Sequence, residues 1–172
     1  MVAYTTRIDV GYPGTMNRVH TADVLAEIIN TTTPPLTYGA MVAMDSATGT
    51  IRVPTGTDTI SAIYGFYVRP YVTQGGGPVS PIVNDPLGTS TPPSSGIGNV
   101  MKRGFMSVRL NTASPAVVKG QAVGVFIGTA SAGNPVGGVT GAAPGATVLA
   151  VPGSFFMGPA DANGFTEVAY NI

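Results

Sequence analysis

The clearest alternation in the chain runs from Phe105 to Asn111. Met106, Val108 and Leu110 fall on one side, and Ser107, Arg109 and Asn111 on the other, which is the period of a half-buried strand. Ala40–Met44 and Thr50–Val53 flank Asp45-Ser46-Ala47-Thr48-Gly49 and predict a hairpin whose turn uses Gly49. Ile60 to Val72 carries Ile63, Tyr64, Phe66, Tyr67, Val68 and Tyr71 on both faces. It predicts a strand that is buried on both sides or has one face in an interface. Val117–Val118, Ala122–Ile127, Thr147–Val151, Phe155–Met157 and Phe165–Tyr170 extend the list, with Asp161-Ala162-Asn163-Gly164 as the turn of a last hairpin. Thr21–Asn30 stays open between two forms. Val24, Leu25, Ile28 and Ile29 fit one helical face, while β-branching at Val24, Ile28 and Ile29 favours a strand.

Two segments carry no such pattern. Residues 1–18 predict an N-terminal arm around the Gly11-Tyr12-Pro13-Gly14 turn. Residues 73–99 hold six Gly and five Pro and predict one long loop, reaching outward or lying free on the surface. A weak echo links Gly39-Ala40-Met41-Val42 to Gly120-Gln121-Ala122-Val123, each opening a strand. It suggests equivalent hairpins in a pseudo-symmetric barrel.

Composition sharpens the class. The 172 residues suit one domain, 1–172, and include 24 Gly, 15 Pro and 21 Thr, which favour short strands and turns over helices. Charged residues are 9%, against about 25% in ordinary domains. Gly120 to Ala160 has no charge over 41 residues, yet ten Gly and four Pro break it too often for a membrane helix. A surface built without charge points to cover by other subunits. The eight Lys and Arg balance the eight Asp and Glu; Lys102, Arg103, Arg109 and Lys119 form too sparse a patch to predict nucleic-acid binding. No membrane partner is expected. The start of the chain shows no apolar leader, which predicts synthesis in a cytoplasm.

The chemistry is thin. Without Cys there is no thiolate, disulfide or Cys-held zinc. His20 is the lone histidine; with Asp23 and Glu27 it would share one side of a helix, if a helix formed there. No nucleophile elbow, phosphate loop or calcium loop occurs, and Asp45, Asp58, Asp85 and Asp161 sit at turns. Gly75-Gly76-Gly77-Pro78 lacks the helix and lysine of an anion nest. The reading is therefore non-enzymatic, with no catalytic residues, no metal and no cofactor. Tyr64, Phe66, Tyr67 and Tyr71 leave a sugar-binding face as a rival.

Taken in order, Tyr12-Pro13-Gly14, Tyr38-Gly39 before Val42, Ile63-Tyr64-Gly65-Phe66-Tyr67-Val68-Arg69-Pro70 and Arg103-Gly104-Phe105-Met106-Ser107-Val108 form a recognisable series. Lys119-Gly120-Gln121-Ala122-Val123, Pro152-Gly153-Ser154-Phe155-Phe156 and Ala162-Asn163-Gly164-Phe165-Thr166-Glu167-Val168 complete it. The series resembles the capsid cement, or head decoration, proteins of tailed bacteriophages; residues 73–99 have no counterpart in it. The resemblance implies an all-β structural virion protein, a small β-barrel or β-sandwich. It implies binding to the outer surface of the phage head, with the major capsid protein as partner and neighbouring capsid subunits clamped together. Self-association is implied too, a homotrimer favoured over a dimer. Tyr12, Pro13, Met16, Arg18, Arg69, Tyr71, Lys102 and Arg103, apolar or basic residues near the arm and the loop, are the expected contacts. The rivals are another virion module, in tail or baseplate, and a carbohydrate-binding β module.

Overall fold

The structure is a computed structural model and describes residues 12–18, 21–69 and 92–172. These residues form nine strands: β1 (Asp23–Ile28), β2 (Met41–Asp45), β3 (Thr50–Arg52), β4 (Ile63–Val68), β5 (Ile97–Arg109), β6 (Ala122–Phe126), β7 (Val139–Thr140), β8 (Val148–Phe156) and β9 (Phe165–Tyr170). A 3₁₀ turn at Ile60–Ala62 precedes β4, and no α-helix occurs among the described residues. The fold is all-β, one curled antiparallel sheet in the order β3-β2-β4-β5-β9-β8-β6-β7, with β1 also paired to β5.

β5 holds the two halves together. Its first part pairs with β1 and β4, and from Gly104 it pairs with β9. The change falls at Gly104, whose φ of +136° suits glycine alone. Read outward from this junction, the halves match: β4 then β2 then β3 on one side correspond to β8 then β6 then β7 on the other. β2 and β6 thus hold equivalent places. These are the strands opened by Gly39-Ala40-Met41-Val42 and Gly120-Gln121-Ala122-Val123, and both opening glycines are left-handed, at φ +76° and +83°. The echo in sequence marks a shared backbone turn into a shared strand position.

Two cores explain the strand that is apolar on both faces. Phe66 and Val68 point into the larger core with Met101, Met106, Val125, Phe156 and Val168. Tyr67, on the opposite face of β4, joins the smaller core with Ile29, Val42, Ile51 and Val100. Tyr38 and Tyr67 stack there at 5.3 Å, and Phe66 meets Tyr170 edge-on at 5.4 Å in the larger core. A parallel bridge from Ile29 to Ile51 curls the end of β1 back toward β3. A second, from Leu110 to Val139, brings the end of β5 to β7.

Several sequence expectations change in detail. Residues 23–28 are a strand, so the helical spacing of Asp23 and Glu27 does not exist; His20 lies outside the described residues. β5 starts at Ile97, inside the span read as loop, because it pairs with β1 and β4. The rest of that span, 73–91, lies outside the described residues, as do residues 1–11 of the arm. The described part of the arm is docked on its own chain. Gly14 N donates to Ser107 O at 2.8 Å, Ser107 N to Thr15 O at 2.9 Å and Asn17 N to Phe105 O at 3.0 Å.

Candidate interaction surface

The docked arm segment brings five of the expected contact residues together. Met16 bridges Met106 and packs against the larger core. Arg18 lies 4.0 Å over the Phe105 ring and 3.6 Å from a Glu167 carboxylate oxygen. The same carboxylate accepts from Asn17 Nδ2 at 3.0 Å, and Ser107 Oγ donates to Asn17 Oδ1 at 3.0 Å. This network keeps the buried Glu167 satisfied. Arg69 donates from Nε to the Pro13 carbonyl at 3.1 Å and sits 4.8 Å from the Tyr38 ring centre. Tyr12 is 42% exposed.

Arg69 and Pro13 form part of the wall of a cleft of about 470 Å³, with Leu36, Tyr38, Arg109 and Pro135. Among the described residues its wall has the cations Arg69 and Arg109 and no carboxylate.

Lys102 and Arg103 stand apart from that group, on the first half of β5. Arg103 is exposed and opposite Asp23. Lys102 is half-buried, with its Nζ 3.3 Å above the Tyr64 ring and donating to the Tyr64 carbonyl. Burial pulls its pKa down, against the opposing attraction of Glu27. Tyr64 donates its hydroxyl to Glu27 Oε1 at 2.6 Å, and that hydrogen bond to a carboxylate, with burial, pushes its pKa up to about 12. The trio ties β1, β4 and β5 together. Tyr71 lies outside the described residues.

Burial removes two of the four rings of the expected sugar-binding face. Phe66 is 0% and Tyr67 1% exposed, so neither offers a ring to a ligand. Among the described residues no group of three or more His, Cys, Asp or Glu is close enough to hold a metal.

Sequence reasoning missed a third surface. Leu25, Ile28 and Ile97 are 46%, 61% and 70% exposed, and Ile28 faces Ile97 across the β1–β5 pair. The uncharged stretch behaves differently. Val123, Val125, Val139, Val151 and Phe156 are inside the larger core. Among the described residues, none of the exposed large apolar side chains lies between Gly120 and Ala160. Its outer surface is made of residues such as Ala130, Ser131, Ala143, Pro144, Ala146 and Thr147.

A family model described as XM1 gp53 minor capsid protein matches residues 1–170. The chain belongs to the XM1 gp53 minor capsid protein family. That places it among structural, capsid-associated proteins of the phage virion. A solved structure titled "The capsid of Myoviridae Phage XM1" contains a chain of the same fold. It has a TM-score of 0.66 and 20% identity, and the match covers 99% of this chain and 97% of that one. The search of curated proteins gave no match.

Proposed function

We propose that this member of the minor capsid protein family is a capsid cement protein. It binds the outer surface of the assembled head and holds neighbouring major capsid subunits together by contact alone. In this reading residues 1–172 act as one β unit, and self-association, as a trimer in preference to a dimer, multiplies the contacts each site offers the lattice.

The observation that carries the reading is the family membership of the chain over residues 1–170. Burial gives it a physical basis. The two cores are closed, and no buried side-chain polar atom among the described residues lacks a partner. The adjacent pair Ile28 and Ile97, 61% and 70% exposed, is among the large apolar side chains left outside and is the surface we take as an interaction site.

Of the expected contacts, Tyr12, Arg18 and Arg103 are exposed and come first. Arg69 has partners in its own chain and, like Pro13, Met16 and Lys102, is half-buried, so these four support the surface more than they project from it. Tyr71 is proposed with the outer loop. The test is to add purified protein to expanded heads assembled without it. Saturable binding to the outside, with greater resistance of the heads to heat, is expected. Binding only to tails or baseplates would favour the rival virion module.

A further inference from the structure

β1 has one edge paired with β5 along Asp23–Ile28. Beyond the Ile29–Ile51 bridge at its end, no strand among the described residues pairs with the other edge. Such an edge presents a row of free N–H and C=O groups, and natural proteins usually blunt it with lysine, proline or a bulge. From Val24 to Ile28 there is no Lys, Arg or Pro, and the single irregularity lies at Asp23/Val24. Glu27, the one charge there, is held by the Tyr64 hydroxyl at 2.6 Å. Beside this edge Ile28 and its cross-strand neighbour Ile97 are exposed on one face of the sheet, and Leu25 on the other.

The chain carries a segment suited to cover it. Residues 2–10 do not alternate cleanly, but Val2, Tyr4, Thr5, Thr6, Ile8 and Val10 are β-branched or aromatic and favour extended backbone. Its point of departure decides whose edge it reaches. Met16 bridges Met106, and Tyr12 lies near Arg109 and Leu110. The chain ahead of Tyr12 therefore starts at the C-terminal end of β5, whereas β1 pairs with Ile97–Arg103 at the other end. Pairing with six residues of its own β1 leaves five linking residues, about 20 Å at full extension, which would have to reverse direction, run about 20 Å back along β5 and cross to the outer side of β1, more than a straight link supplies. The edge of a neighbouring copy carries no such constraint.

We propose that residues 2–10 of one copy add as a strand to the outer edge of β1 in the next copy. Main-chain hydrogen bonds supply affinity, and the added strand lays one row of side chains beside Ile28 and Ile97 and the other beside Leu25, on the opposite face. The contact is head-to-tail, so a ring of copies satisfies every edge and every arm. It rests on the self-association proposed above and names the segments that make it.

The chain has no cysteine, so single-cysteine variants of the full-length protein report the contact directly. Ile28→Cys is mixed with Tyr4→Cys, Thr6→Cys or Ile8→Cys. At least one mixture forms a disulfide-linked pair at least tenfold faster than either variant alone. Light scattering gives a second readout. Deleting residues 1–11 and substituting Ile28→Lys each reduce the oligomer to single copies with the thermal melt preserved, and combining them has no further effect. A monomeric parent protein, an oligomer that survives both changes, or one lost with Ile28→Lys but not with the deletion overturns the strand exchange. The same variants are added to expanded heads. An intact oligomer that still decorates them sinks the exchange and leaves the cement reading standing. A cross-linked ring that never binds heads does the opposite.

Discussion

Gly120–Ala160 and the β1 edge around Ile28 both depart from an ordinary protein surface, in opposite ways. The first lacks charge but exposes small residues, and its large side chains fill the core. The second has charges close by, at Asp23, Glu27 and Arg103, yet exposes Ile28 and Ile97 together on one face and Leu25 on the other. Absence of charge is therefore not the same as an apolar surface. In the uncharged stretch much of the composition follows from close backbone packing: a Cβ at Gly138 would lie 2.0 Å from Asn111 Oδ1. Small residues there answer an internal demand. The exposed isoleucines answer none among the described residues, which is why we propose association at the edge.

The comparison assigns stability to one region and association to the other, and four changes test that division. The largest effect is expected from Phe156→Ala. The side chain is 0% exposed in the larger core, so its loss should cost about 3–5 kcal/mol, read by denaturant unfolding. Next is Asp58→Asn, in the charged half of the sheet. Arg52 grips Asp58 through two hydrogen bonds of 2.7 Å, and Thr55 N adds a third at 2.6 Å. Loss of the charge should cost about 1–2 kcal/mol, since the pair keeps some exposure to water.

That pair also fixes a sign for acid. The Arg52 hydrogen bonds hold the Asp58 carboxyl below the usual carboxylate range. Its stabilisation is complete above the unfolded pKa of about 4 and fades as pH falls through the lower folded value. Denaturation midpoints between pH 7 and pH 2 should show this decline, and Asp58→Asn should flatten it. The uncharged stretch has no titrating side chain with which to contribute.

Ile28→Lys should move folding stability by less than about 0.5 kcal/mol, because the side chain is 61% exposed, while abolishing self-association. Ala146→Asp should be the mildest. It adds a charge to an exposed position of the uncharged stretch and should leave both the unfolding midpoint and the oligomer mass unchanged. If Ala146→Asp dissolves the oligomer and Ile28→Lys does not, the two regions have been assigned the wrong way round.

Local pattern carried much of the fold. Phe165–Tyr170 is β9 as expected, because Asp161 closes the turn before it with hydrogen bonds to Asn163 N and Phe165 N at 2.8 Å. The Met41–Asp45 and Thr50–Arg52 hairpin follows its turn chemistry, with Ala47 N donating to Asp45 Oδ1 at 3.0 Å. The misses share a cause in partners distant along the chain. Residues 23–28 satisfy helix and strand spacing alike, and pairing with β5 decides between them. Ile97-Gly98-Asn99 has no strand signature. A Cβ at Gly98 would lie 2.6 Å from the Tyr67 ring, so a glycine that reads as loop is a packing requirement inside a strand.

The interaction surface was legible only in part. Tyr12, Pro13, Met16, Arg18 and Arg69 do gather around one end of β5, but the arginines are engaged with Glu167, Phe105, Pro13 and Tyr38. Their availability depends on tertiary partners that residue type does not disclose. The β1 edge was missed for the same reason. Leu25 and Ile28 look like core residues until β1 is seen to pair along its length, among the described residues, with β5 alone.

The central claim is that the protein binds the assembled head from outside and strengthens it. The direct measurement is the occupancy of expanded heads, assembled without the protein, as purified protein is titrated in, followed by their thermal disruption. The account predicts saturable binding at regular outer sites and heads that survive to higher temperature. Heads that remain bare at saturating protein, or that bind it with no gain in resistance, would contradict it.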